Sequence, residues 1–140
     1  MPKYTIGLDY GSLSGRAVLV DIADGRQLCD CVMDYPHAVM SETLAATGAP
    51  LPPDYALQDP KDYLDVLHTI VPGVISKAGI DPHDIIGLGI DFTCCTMLPV
   101  RADGTPLCFD EKFRGEPHAY VKLWKHHAAQ PYADRLNEVA

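Results

Sequence analysis

Two apolar runs joined by a short polar turn constrain this chain more than any other stretch: Ile6-Gly7-Leu8-Asp9-Tyr10-Gly11-Ser12-Leu13-Ser14-Gly15-Arg16-Ala17-Val18-Leu19-Val20-Asp21. Branched residues flanking a Gly- and Ser-containing turn predict a hairpin of paired strands. Gly11 and Gly15 let the backbone bend so that N–H groups converge on one anion, Ser12 and Ser14 add hydroxyl donors, and Arg16 adds a forked cation. Asp9 ends the first strand with a carboxylate where a phosphate-bound magnesium ion needs one. Taken without context, the same residues also describe a tight hairpin with a polar turn, since Asp, Gly and Ser favour turns for conformational reasons alone.

The remainder predicts an open mixed sheet with helices. Asp24-Gly25 is a turn signal, and Gln27 to Tyr35 reads as a third strand, so the chain begins with three antiparallel strands. Pro36 to Pro60, rich in Pro, Ala, Thr and Gly, reads as a loop or short helical excursion. From Asp59-Pro60, apolar residues Tyr63, Leu64, Leu67, Ile70, Val71, Val74 and Ile75 recur at helical spacing, with Pro72-Gly73 expected to kink the helix and Gly79 to cap it. Ile85 to Phe92 reads as a buried central strand, Thr96 to Val100 and Pro106 to Phe109 as a hairpin about Asp103-Gly104, and Glu116 to Ala140 as helix broken at Pro131. The class is α/β, and ligands are expected at the carboxyl ends of the strands, around Asp9 and around Asp91 to Cys95.

Composition narrows the function. At 140 residues and 47% hydrophobic, the length prior gives one domain with material for a core. A formal charge of −8 repels a nucleic-acid backbone and leaves small-molecule chemistry or protein contacts. No apolar run approaches the roughly 20 residues of a membrane span, and Met-Pro-Lys-Tyr lacks a signal-peptide core, so no membrane partner and a cytoplasmic location are expected. Five cysteines is an odd number for a disulfide framework, and none has the usual zinc-ligand spacing, so reduced thiols are the default.

The stretch Asp-x-Gly-Ser-x-Ser-x-Arg at Asp9 to Arg16, followed by an apolar strand, resembles the first phosphate motif of the actin-like ATPase superfamily, and its ending is most similar to that of the FGGY carbohydrate kinases. A second block, Gly87 to Val100 with Asp-Phe-Thr-x-Cys-Thr-Met-Leu-Pro inside it, resembles the substrate-side strand of that family, in the branch whose substrate is L-ribulose. A third, Phe113 to His127, resembles the same branch.

This resemblance implies a ribonuclease H-like, actin-like ATPase lobe: a mixed sheet beginning with three antiparallel strands, flanked by helices. It implies transfer of the γ-phosphoryl group of ATP, with Mg2+, to L-ribulose or a related ketopentose. Carried over by position, Asp9, Gly11, Ser12, Ser14 and Arg16 match the phosphate and magnesium motif, with Asp9 on the metal. Thr93, Cys94 and Cys95 match the segment facing the sugar, Trp124 matches a tryptophan of the same cleft, and Lys125 and His126 follow it. Without the match, Thr93-Cys94-Cys95 reads equally as small residues ending a strand, Trp124 as core, and Lys125-His126-His127 as a solvated face. The family's catalytic Asp comes after the matched region, so residues 1–140 are expected to be an incomplete first lobe with no catalytic base of their own and no second lobe. Asp91 receives no role. Other readings are a xylulokinase- or glycerol kinase-type enzyme and a non-catalytic half-domain binding nucleotide or a partner. A homo-oligomer is left open.

Overall fold

In the computed structural model, which describes residues 2–140, the elements run β1 (Tyr4–Tyr10), β2 (Ser14–Asp21), β3 (Gln27–Asp34), β4 (Leu57–Gln58), α1 (Pro60–Ala78), β5 (Ile85–Phe92), β6 (Val121–Lys122) and α2 (Gln130–Val139). Short 3-10 turns intervene at Pro82–Asp84, Leu107–Phe109, Glu111–Phe113 and Pro117–Ala119. The chain divides into two units, one built from the residues up to Ala38 with Lys61–Thr93, the other from Val39–Pro60 with Cys94–Ala140.

The first unit is a four-stranded sheet in the order β3-β2-β1-β5, antiparallel across β3, β2 and β1 and parallel between β1 and β5. Alternation sends Ile6, Leu8 and Tyr10 of β1, with Ala17 and Leu19 of β2, to one face. Val66, Ile70 and Val74, spaced four apart on α1, cover that face and close a core with Tyr35. Two close approaches fix how the helix lies. A Cβ on Gly15 would stand 2.4 Å from Val66 Cγ1, and one on Gly73 would stand 2.8 Å from Cys31 Sγ. The Pro72-Gly73 pair, expected to kink the helix, is continuous α1, and Gly73 serves as the contact point with β3. Gly79, at φ +64°, ends the helix by donating its N–H to the Ile75 carbonyl.

The run Ile85–Phe92 is an edge strand, not a buried central one: paired on one side only, it leaves Ile86, Leu88, Ile90 and Phe92 about half exposed. Leu88, Ile90 and Phe92 lie in register with Ile6, Leu8 and Tyr10, so their apolar stripe continues the core face, with Phe92 meeting Tyr63 of α1 edge-on at 6.3 Å. A continuous apolar run marks a strand suited to cover on its faces; it does not say which neighbours supply that cover.

The second unit has little regular structure. β4 pairs antiparallel with β6, and bridges from Met40 to Leu57 and from Met97 to Lys122 extend that pair on both sides. Met40, Leu44, Leu57, Cys108, Ala119 and Tyr120 form its core. The hairpin expected over Thr96 to Phe109 is reduced to one bridge, Val100 to Pro106, with a 3-10 turn at Leu107–Phe109 where the return strand was expected. The Asp103-Gly104 turn itself forms, with Arg101 donating to the Thr105 carbonyl. The tail expected to be helical contains a 3-10 turn, β6 and α2; Pro131 sits in the first turn of α2, where its missing N–H costs nothing. Among the described residues, no helix is long and apolar enough to cross a membrane.

Candidate functional site

The hairpin turn is held from three directions within the first unit. Gly11 donates its N–H to the Ser14 carbonyl at 3.0 Å, closing the turn. Tyr35, just past β3, donates its backbone N–H to the Leu13 carbonyl at 2.8 Å and its hydroxyl to the Gly11 carbonyl at 2.9 Å. Burial, reinforced by the neighbouring Tyr63 and Tyr10 hydroxyls and by Asp9 and Asp62, pushes the Tyr35 phenol far above its ordinary range. It therefore stays protonated and remains a donor at any physiological pH. Tyr63 rings meet both Tyr35 and Tyr10 edge-on, and Tyr10 stacks on Phe92 at 4.8 Å, so an aromatic cluster backs the turn at the carboxyl end of β1.

Asp9 and Arg16 are directly opposed in the β1–β2 register, and Asp9 is flanked on the other side by Asp91 of β5. All three side chains are exposed, on the face opposite α1. Ser12 and Ser14 are half-buried in and beside the turn. This donor set suits a hydrated divalent cation and its phosphate: a hard carboxylate oxygen with room for water ligands, hydroxyls and a guanidinium. The turn's rigidity was not legible from sequence, because Tyr35 acts from 24 residues away through a carbonyl, which leaves no local motif.

A second constellation lies entirely in the second unit. Cys95, Met97, His118, Lys122, Trp124 and His126 are among the residues that line a pocket of about 390 Å3. Of the residues expected on the sugar side, the pocket takes Cys95, Trp124 and His126, whereas Cys94 and Lys125 are exposed beside it. Cys95 adopts φ +54°, a left-handed conformation that a β-carbon resists, and Thr96 Oγ1 donates to the Cys94 carbonyl. Thr93 belongs to the first unit, where its N–H extends the β1 ladder by donating to the Tyr10 carbonyl at 3.2 Å. Trp124 is 56% exposed, so its indole face is a wall of the pocket and not core.

The sequence missed His118, Lys122 and Met97 as pocket residues. Lys122 lies on the short β6 and His118 in a 3-10 turn, elements too brief to show periodicity. Desolvation lowers the Lys122 ammonium pKa, partly countered by Glu116. The His126 imidazole is also lowered, by desolvation and then by Lys122, His118 and His127.

Comparison with known proteins gives the following. The chain is 57% identical over 138 residues to a ribulokinase of Geobacillus thermodenitrificans and 54% identical over 142 residues to one of Mycolicibacterium smegmatis. Each alignment takes in 99% of this chain but only 24% and 25% of the relative, so the chain spans about a quarter of their length. Among solved structures, a gluconate kinase of Lactobacillus acidophilus superposes with a TM-score of 0.73 at 20% identity, covering 99% of this chain and 23% of that one. A xylulose kinase of the same organism superposes at 0.72 and 20% identity, covering 97% and 22%. No family model matches the sequence. The structural likeness shows a fold shared with the matched part of these sugar kinases, and in sequence the segment is similar to the matching quarter of ribulokinases.

Proposed function

We propose that this chain supplies the phosphate-side hairpin and part of the sugar pocket of a kinase that transfers the γ-phosphoryl group of ATP to a hydroxyl of L-ribulose, giving L-ribulose 5-phosphate. The observation that carries the reading is identity of 52–57% to several ribulokinases over 99–100% of the chain. A xylulokinase-type enzyme is supported less, since that likeness is one of fold at 20% identity.

In this reading the sugar oxygen attacks the γ-phosphorus, ADP leaves, and the proton of the hydroxyl goes to a base outside residues 1–140. Magnesium neutralises charge on the phosphates when bound. Asp9 would hold that ion, through water or directly, and Arg16, Ser12 and Ser14 would hold phosphate oxygens. Gly11 shapes the turn, its N–H being taken by Ser14. The fixed Gly11–Ser14 turn means these donors reorganise little when charge moves, which is where phosphoryl-transfer catalysis gains most. Cys95, Trp124 and His126 would line the sugar, with Cys94 and Lys125 bordering them; Thr93 is a sugar-side candidate from the sequence match alone. The chain would form the first part of the first lobe, in a cytoplasmic enzyme.

The test is a chimera in which these 140 residues replace the matching quarter of the Geobacillus thermodenitrificans enzyme. Asp9→Asn in that chimera is expected to lower kcat about a hundredfold or more, with KM for L-ribulose within about twofold of the parent. Arg16→Ala is expected to behave alike. Unchanged kcat across magnesium concentrations would make the hairpin purely structural.

A further inference from the structure

His126 has one ring nitrogen committed to the fold. Its Nδ1 accepts the Ala56 backbone N–H at 3.1 Å. Ala56 is 4% exposed, so without that acceptor its N–H would be a buried donor with no partner. The same two segments are laced on either side, Leu123 N–H to the Ala56 carbonyl at 3.0 Å and His127 N–H to the Asp54 carbonyl at 2.9 Å. These backbone bonds hold the two segments together, so a ring that swung away would leave the Ala56 N–H without its acceptor. Tyr55 packs edge-on against it at 4.7 Å, and the Tyr55 hydroxyl lies 3.2 Å from His118 Nε2.

An Nδ1 that accepts must carry no proton, which leaves the single ring hydrogen of neutral imidazole on Nε2. We propose that His126 is the pocket's fixed neutral donor, presenting Nε2–H to an oxygen of a polyhydroxylated ligand beside Trp124 and Cys95. The assignment deepens the sugar-pocket reading above and rests on it for the ligand. It distinguishes His126 from Lys122, a charged donor in the same pocket whose ammonium donates to the His118 carbonyl at 2.8 Å.

The charged and titratable groups around the ring oppose its protonation. Lys122 on β6, His118 from the 3-10 turn and His127 next in sequence are all cationic or become so in acid, while Glu116 acts on Lys122. A histidine whose folded pKa is lowered contributes stability that is complete above its ordinary value near 6.5 and is lost as pH falls from there through the lowered value. Acid therefore breaks the Ala56 bond and the donor geometry together.

The experiment is long-range 1H–15N spectroscopy of the imidazoles in the chimera with the Geobacillus thermodenitrificans enzyme, across pH and with L-ribulose added. The expected result is a His126 with bare Nδ1 and protonated Nε2 at pH 7, a titration midpoint below 6.5, and resonance shifts at both His126 Nε2 and the Trp124 indole on sugar addition. His126→Asn, whose amide oxygen can still accept from Ala56, should keep the fold and the Trp124 response while weakening L-ribulose about tenfold. A proton on Nδ1, or a midpoint at or above 6.5, overturns the proposal. So does a Trp124 response with His126 silent, or unweakened binding in His126→Asn. If neither residue responds to sugar, the pocket reading itself fails and takes the donor assignment with it.

Discussion

Tyr35 and Cys108 show how far single side chains can be read from a list of residues. Tyr35 looks like the end of a strand, yet its phenol anchors the Gly11 carbonyl in the turn. Tyr35→Phe keeps the ring contact with Tyr63 and removes only that bond, so it is expected to cost about 1 kcal/mol and to speed amide exchange at Gly11 to Ser14. Unaltered exchange there would mean the turn holds itself. The five cysteines are free thiols, but in unlike surroundings. Desolvation, and then the nearby Asp59, raises Cys108 to about 11, while Cys94 and Cys95 are exposed. At pH 8 an aromatic disulfide reagent is expected to modify Cys94 and Cys95 well before Cys108, since thiolate is the reacting form. Equal rates at all three, measured by mass spectrometry, would contradict the burial of Cys108. Asp9, Arg16, Ser12 and Ser14 could be grouped from the sequence because a hairpin turn is local; Lys122 and His118 could not, because the pocket joins them to Trp124 only in space.

At the scale of elements, long periodic segments were readable and short ones were not. The three N-terminal strands and α1 follow the expected bounds to within a residue or two, because period-two and period-3.6 patterns run through them for seven residues or more. β4 and β6, two residues each, carry no pattern, and the supposed hairpin near Asp103 borrowed apolar residues that instead pack as 3-10 turns around Cys108. The joint between hairpin and helix makes a sharper test. Gly15→Ala drives a methyl into Val66, a stiff branched neighbour, and is expected to cost about 1–3 kcal/mol by urea denaturation. Val66→Ala opens that space, so the double variant should be less unstable than the sum of the two singles. Strict additivity would show that the helix does not bear on Gly15.

For the molecule as a whole, the apolar stripe Ile86, Leu88, Ile90 and Phe92 on an edge strand is the feature that sequence patterning promised as buried and the structure leaves half open. Such a patch on an unpaired edge favours association. The 140-residue chain is expected to bind a hydrophobic dye and to self-associate with rising concentration, both reduced by Ile90→Lys without loss of helix content. A chain that stays monomeric and dye-free would mean the stripe is quiet. The central claim, that this chain carries the phosphate and sugar elements of an L-ribulose kinase, is met most directly by steady-state ADP formation in the chimera with the Geobacillus thermodenitrificans enzyme. The account predicts turnover dependent on L-ribulose, with kcat/KM at least about tenfold above that for D-xylulose or gluconate, and none from the 140 residues alone. A folded chimera that is inactive, or that prefers D-xylulose or gluconate, would contradict it.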